Sequence, residues 1–208
     1  MSKNHHVLIV EDNDTMRLLL AATLAAEGYE VTEATDGISA LLAAESNPPD
    51  LAVLDLHLPA MSGMEIASLF HQRIPFLVLT MDAGAENVRQ CIDLGALGYL
   101  IKPPEPDDFL RQVRIALKRG QESLNLRRAL QDTQVIAKAW GLLMAYHGLP
   151  EDAVYKNLLA CSMAQKRRTV DLARKVIGAF DVIARFKATA GKPSKGLTEA
   201  VAFLDQFK

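Results

Sequence analysis

Apolar and polar positions follow two different periods along this chain. Through the first half, short unbroken apolar runs are separated by stretches in which apolar residues recur every three or four positions. Val7-Leu8-Ile9-Val10, Leu51-Ala52-Val53-Leu54, Phe76-Leu77-Val78-Leu79 and Tyr99-Leu100-Ile101 are such runs, and Glu30 to Ala34 is a more polar fifth. Runs of this length read as strands buried in a parallel sheet. Between them, Met16, Leu19, Leu20, Thr23 and Leu24 mark one face of a helix that stops at Gly28. Ile38, Leu41, Leu42 and Ala44 mark a second, closed by Pro48-Pro49. Helices are also expected over Met64 to His71, after the loop Pro59 to Gly63, and over Glu86 to Leu94, before Gly95. Pro103 and Pro104 bar a helix directly after the last strand, and Asp107-Asp108 are placed to cap the one that follows. Five strand-helix repeats predict an α/β fold, a doubly wound five-stranded parallel sheet with right-handed crossovers.

The second half carries only the helical period. From Asp107 a helix runs to about Thr133, weakened only at Gly120. Leu110, Val113, Leu117 and Leu124 keep heptad spacing, but Gly120 and Arg127 fall in the seam, so 121–134 reads equally as a coiled coil or as a helical linker packed on its own chain. Three short helix patterns follow and predict a small three-helix all-α domain over 135–183. Val135, Ile136, Ala139, Leu142, Leu143 and Tyr146 stripe the first; Val154, Tyr155, Leu158 and Leu159 the second; Val170, Ala173, Val176, Ile177 and Phe180 the third. Residues 184–208 form an extension, with a basic loop at Gly191 to Gly196 and a terminal amphipathic helix from Leu197 to Phe207.

Charge sharpens this division. The chain of 208 residues carries a net charge of −2. Residues 1–120 hold 9 Lys/Arg against 17 Asp/Glu, and residues 121–208 hold 14 against 8, so an acidic front half is joined to a basic back half. The asymmetry points to an anionic partner for the back half. No apolar stretch approaches the roughly 20 residues of a membrane span. The polar start, Met1 to His6, lacks the apolar middle of a secretory signal, so a cytoplasmic protein without a membrane partner is expected. Cys91 and Cys161 are far apart in helical patterns and read as small buried residues, not as a disulfide or zinc site.

In an open parallel sheet, ligands bind outside the carboxyl ends of the strands. The apolar runs here end in Glu11-Asp12, Asp55, Thr80 and Lys102, so three carboxylates, a hydroxyl and an ammonium are expected to converge on one pocket. A carboxylate can accept a phosphoryl group as an acyl phosphate if the shared negative charge is neutralised. Magnesium suits that task, with Asp55 and Asp12 as direct ligands and Glu11 reaching the ion directly or through water. Lys102 supplies a compact positive charge and Thr80 a hydroxyl donor. Each residue alone has an ordinary explanation, as a turn, a strand end or a solvated lysine. Their weight comes from four strand ends in one register.

These residues resemble the receiver domain of two-component response regulators. The resemblance rests on Glu11-Asp12, on Asp55-Leu56-His57-Leu58-Pro59 with Gly63, on Thr80, and on Gly95-Ala96-Leu97-Gly98-Tyr99-Leu100-Ile101-Lys102-Pro103, and it covers residues 5–120 of an expected receiver domain over 1–120. It implies a flavodoxin-like sheet, Asp55 as phosphoacceptor, a sensor histidine kinase as phosphodonor, and Mg2+ held by Glu11, Asp12, Asp55 and the backbone carbonyl of His57. It also implies that Thr80 and Tyr99 act as a switch pair, read out on the face of the fourth and fifth helices. The pocket has no place for a substrate beyond a phosphodonor, so this is a switch and not a dedicated enzyme. Met81 departs from the small residue usual after the Thr, and a long side chain there is expected to slow phosphoryl arrival and loss.

The back half resembles the ANTAR domain, the three-helix RNA-binding module of antitermination regulators. Ile136, Ala139, Gly141-Leu142-Leu143-Met144, Gly148, the Leu158 helix, Ser162-Met163, Arg167-Arg168 and Leu172-Ala173 carry that resemblance. It implies a homodimer that binds paired stem-loops in nascent RNA and blocks terminator formation, through loop bases and phosphates. Lys138, Trp140, Lys166, Arg167 and Arg168 are the candidates for RNA contact; Trp140 stands where a basic residue is usual, and its indole either stacks on a base or turns into the core. A protein-interaction or dimerisation output is the alternative. DNA is the weakest, because Thr169 to Val182 lacks the polar start of a recognition helix.

Overall fold

The apolar runs form the centre of a parallel sheet because no face of them is left for water. In the computed structural model, which describes residues 5–81, 84–189 and 195–207, β1 (His6–Val10), β2 (Glu30–Ala34), β3 (Leu51–Asp55), β4 (Phe76–Thr80) and β5 (Tyr99–Ile101) lie in the order β2-β1-β3-β4-β5. All pairings are parallel, with Val10 opposite Leu54 and Asp55 opposite Leu79, which brings the carboxyl ends level. β1, β3 and β4 are buried along their whole length, whereas β2 at the edge is fully buried only at Ala34.

The chain divides into two compact units, Met1–Asn125 and Leu126–Lys208. In the first, α1 (Asp14–Ala26) and the start of α5 (Pro106–His147) cover one face of the sheet, with Leu20, Leu24, Phe109, Val113 and Leu117 against Val7, Ile9, Val53 and Leu77. The other face is covered by α2 (Gly37–Ser46), α3 (Gly63–Phe70) and α4 (Ala85–Asp93), through Ala40, Ala44, Ile66, Phe70 and Cys91. Each large side chain fully buried in this way contributes about 1.5–3 kcal/mol of transfer free energy.

Several helix faces differ from the pattern expected. Leu19 on α1 is exposed while Ala21 is buried, and on α2 Ile38 and Leu42 face solvent while Gly37, Ala40 and Ala44 face the sheet. Both helices are apolar nearly all round, so periodicity does not choose a face; close packing on the sheet selects the small residues. α5 begins at Pro106, whose fixed φ and missing N–H suit a first helical position, and Asp107-Asp108 lie inside its first turn. Gly120, read as a weak point, is buried where a Cβ would come within 2.5 Å of the Pro75 ring.

No break separates a linker from the next helix, since neither Pro nor Gly occurs between Gln121 and Trp140, and α5 runs on to His147, where Gly148 at φ 65° ends it. In the second unit, Ala139 and Leu143 of α5, Val154 and Leu158 of α6 (Glu151–Ala164), and Leu172, Ala173 and Val176 of α7 (Thr169–Thr189) make one core. A fourth element joins it: α8 (Lys195–Leu204) and a 3-10 turn (Asp205–Phe207) bury Ala200, Leu204 and Phe207 in the same core. The extension is therefore part of the unit, fastened by Asn157 Nδ2 donating to Phe207 O at 3.2 Å. Leu126 and Leu130 of the expected coiled-coil stretch are 63% and 57% exposed. Cys91 is buried as expected, but Cys161 is only half-buried, and residues 191–194 of the expected basic loop lie outside the described residues.

Candidate functional site

At the carboxyl ends of β1, β3 and β5, Lys102 Nζ stands 2.7 Å from Asp55 Oδ2 and 2.6 Å from Glu11 Oε2. Asp55 Oδ1 accepts from the His57 backbone N–H at 3.0 Å. Glu11 and Asp55 are buried, Asp12 and the His57 side chain are exposed, and Lys102 keeps 8% of its side chain accessible. Apart from the ion pair with Lys102, Glu11 Oε2 is a buried acceptor with no hydrogen-bond partner among the described residues. Burial, helped by the charge on Asp55, holds the Glu11 carboxyl above its ordinary value although Lys102 opposes this. Burial alone would lower the Lys102 ammonium, but the two carboxylates outweigh it and hold the group above its ordinary value.

Glu11, Asp12 and Asp55 each bring a carboxylate oxygen within 4.8 Å of the others. Such a set of hard oxygens, one of them a buried acceptor whose sole partner among the described residues is Lys102, fits a divalent cation of the Mg2+ type. Thr80 is fully buried at the end of β4, and its carbonyl accepts from Lys102 N–H at 2.9 Å. Tyr99 is half-buried against the core beneath α4, and Met81 is 74% exposed.

Two supporting residues are not apparent from residue type alone. Arg17, one turn into α1, donates to the Glu11 carbonyl at 3.1 Å and pairs with Asp14 and Glu33, bracing the acidic loop. Its signal is a basic residue six positions after Glu11. Gly63 opens α3 so close to β3 that a Cβ would lie 2.0 Å from the Asp55 carbonyl oxygen. The loop between them is thereby drawn tight, with Gly63 N–H donating to Leu56 O at 3.1 Å.

In the second unit, Lys166, Arg167 and Arg168 are exposed between α6 and α7. Lys166 adopts φ 49°, and its N–H and that of Arg167 return to Met163 O and Ser162 O, closing α6 in the manner usual for a glycine. Ser162 Oγ donates to Arg167 O at 2.5 Å, which fixes the turn. Arg168 is engaged by Asp171, and Arg174 by both Asp171 and Asp132. Among the described residues Lys166 and Arg167 make no ion pair. Lys138 is exposed; Trp140 is half-buried, edge-on to Tyr155 at 5.2 Å between centroids, so its indole belongs mainly to the core.

Comparison with known proteins agrees with this division. The response regulator receiver domain family matches residues 7–114, and the ANTAR domain family matches residues 124–177. The transcriptional regulatory protein PdtaR of Mycobacterium tuberculosis is 33% identical over 181 residues, covering 82% of this chain and 88% of that protein. KdpE, a transcriptional regulatory protein of the same organism, is 33% identical over 129 residues, 61% of this chain and 57% of its own. Among solved structures, a CheY-like receiver domain protein from Methanospirillum hungatei matches with a TM-score of 0.55 at 29% identity, over 58% of this chain and 98% of that one. A response regulator from Chloroflexus aurantiacus matches with a TM-score of 0.53 at 33% identity, over 56% and 99%.

Proposed function

The chain belongs to the response regulators, a receiver domain followed by an ANTAR domain, and on that footing we propose that Asp55 takes the phosphoryl group and that its state governs RNA binding by the second unit. An ANTAR domain is an RNA-binding output module of antitermination, so the output acts on transcription termination. The observation that carries the assignment of Asp55 is its place at the end of β3 between a cation and a backbone donor, with Lys102 Nζ on Oδ2 and His57 N–H on Oδ1.

An Asp55 oxygen attacks phosphorus of a phosphohistidine on a sensor kinase; the P–N bond breaks as the acyl phosphate O–P bond forms. Glu11, Asp12, Asp55 and the His57 carbonyl would hold Mg2+, which neutralises charge shared by the carboxylate and the phosphoryl oxygens. Lys102 pairs with Asp55 and is within reach of a phosphoryl oxygen at that carboxylate. Thr80 donates its hydroxyl to another oxygen, and Tyr99 turns inward as the hydroxyl moves. This local charge event biases a two-state element near α4 and α5.

The output is read by Lys166, Arg167 and Arg168 on the phosphates of stem-loop RNA, with Lys138 adding charge and Trp140 serving chiefly as core. Leu126 and Leu130 give α5 an exposed apolar pair that fits contact with a second copy, so the working form is a homodimer. The protein acts in the cytoplasm, where nascent RNA is made; among the described residues no helix is long and apolar enough to cross a membrane. It is a regulator whose chemistry is done to itself.

Incubation with acetyl phosphate and Mg2+ tests the assignment. One hydroxylamine-labile phosphoryl group is expected on the wild type and none on Asp55→Asn; labelling that survives Asp55→Asn would move the site elsewhere.

A further inference from the structure

On the side of the first unit away from α1 and the start of α5, a cavity of about 260 Å³ opens between α2 and α3. Leu41, Leu69, Phe70 and Ile74 line it, and Glu45 and Arg73 stand beside them, both exposed. We propose that this face joins two copies of the chain through a symmetric contact, separate from the one assigned to α5.

The apolar surface is larger than the cavity. Ile38, Leu42 and Glu45 follow one another at successive turns of α2, and Ile38, Leu42 and Leu69 are each more than half exposed. Scattered apolar side chains on a surface are ordinary, but a row of them flanking a hollow marks an interaction site. A small ligand filling the hollow would leave that row in water, so the occupant is a macromolecular surface.

The charges select which surface. Among the described residues neither Glu45 nor Arg73 has an ion-pair partner, whereas Glu65, the acid of α3, is engaged by Ser62. Glu45 lies in the last turn of α2, where the helix dipole disfavours an anion and no basic residue offsets it. Arg73 is fixed by a tight turn behind α3: Gln72 takes φ 66°, and the N–H groups of Arg73 and Ile74 both donate to Phe70 O at 2.9 Å. Because α2 and α3 each connect strands of one parallel sheet, they run in the same direction, with Glu45 and Arg73 both towards their C-terminal ends. A two-fold axis lying in the contact plane between the helices therefore sets α2 of one copy on α3 of the other. Glu45 then meets the partner's Arg73 and Leu42 meets the partner's Leu69, each pair formed twice. A foreign surface would have to reproduce that spacing; a second copy already carries it.

The test is sedimentation equilibrium of the full chain without phosphodonor or RNA, so its outcome is independent of the switch and of the RNA-binding output. Mass is expected to rise at least twofold above its dilute value over roughly 10–1,000 μM, the range of a small, weak interface. Glu45→Arg sets arginine against arginine at both contacts, and Arg73→Glu sets glutamate against glutamate, so each alone is expected to weaken this association about tenfold or more. An equimolar mixture of the two variants rebuilds both ion pairs, as does the double reversal in one chain, and each is expected to recover the wild-type curve. The α5 contact contains neither residue and does not follow the reversals. A mass that both single reversals leave as in the wild type at every concentration, or a mixture or double reversal that fails to recover the association, overturns the proposal; the face then serves another protein or none.

Discussion

Replacing Lys102 with methionine removes the cation that bridges Glu11 and Asp55 while keeping most of the side chain's length. With Nζ 2.6 and 2.7 Å from the two carboxylates, each attraction amounts to about 6 kcal/mol at an effective dielectric near 20. Desolvation of the buried ammonium offsets much of this, and breaking a buried ion pair from one side costs about 3–5 kcal/mol net. The loss should depend on pH in a definite direction. Lys102 lowers the Glu11 pKa by hydrogen bonding and by charge; without it, burial and Asp55 remain, and both raise it further above 4.5. Between 4.5 and that raised value the native state binds more protons than the unfolded chain, so stability falls as pH rises. Urea unfolding with EDTA present, at pH values from about 5 to about 8, measures this: the destabilisation of Lys102→Met should be largest at the upper end and shrink towards the lower. A loss independent of pH, or none, would refute the view that the lysine neutralises a buried carboxylate pair.

Gly63→Ala places a methyl 2.0 Å from the Asp55 carbonyl oxygen, so α3 must shift by more than an ångström; a loss of about 1–3 kcal/mol in thermal unfolding and slower labelling by acetyl phosphate are expected, and an unchanged Tm would count against the close approach. Met81→Ala should speed both phosphoryl arrival and hydrolysis of the acyl phosphate; unchanged rates with a small phosphodonor and an unchanged lifetime would show that the methionine at the rim has no influence. Phe207→Ala should cost about 3–5 kcal/mol in the second unit, since that ring is wholly buried, and a near-neutral effect would mean that the extension does not complete the core.

The sheet was legible because strands buried on both faces leave unbroken apolar runs, as at Leu51 to Leu54, and because strand ends in one register must share a pocket. The faces of α2 were not, since Ile38 and Leu42 outweigh Ala40 and Ala44 in hydrophobicity while only the small residues fit beneath the helix. The continuity of α5 escaped for a related reason: the apolar stripe shifts register around Leu124 and Leu126, but helix geometry needs no stripe to continue. Lys166 closes α6 in a left-handed turn without the glycine that would signal it, and Gly63 against the Asp55 carbonyl is a product of how closely α3 packs on β3, which local propensity does not encode. The terminal helix was visible as amphipathic, whereas its partner, the core closed by Leu204 and Phe207, is a long-range contact.

The most direct test of the account is the affinity of the full chain for a tandem stem-loop RNA, measured with and without acetyl phosphate and Mg2+. The account predicts that phosphorylation tightens binding for the wild type and that Asp55→Asn shows no response to the donor. An affinity that stays the same when Asp55 is demonstrably phosphorylated, or a chain indifferent to RNA at low salt, would contradict it.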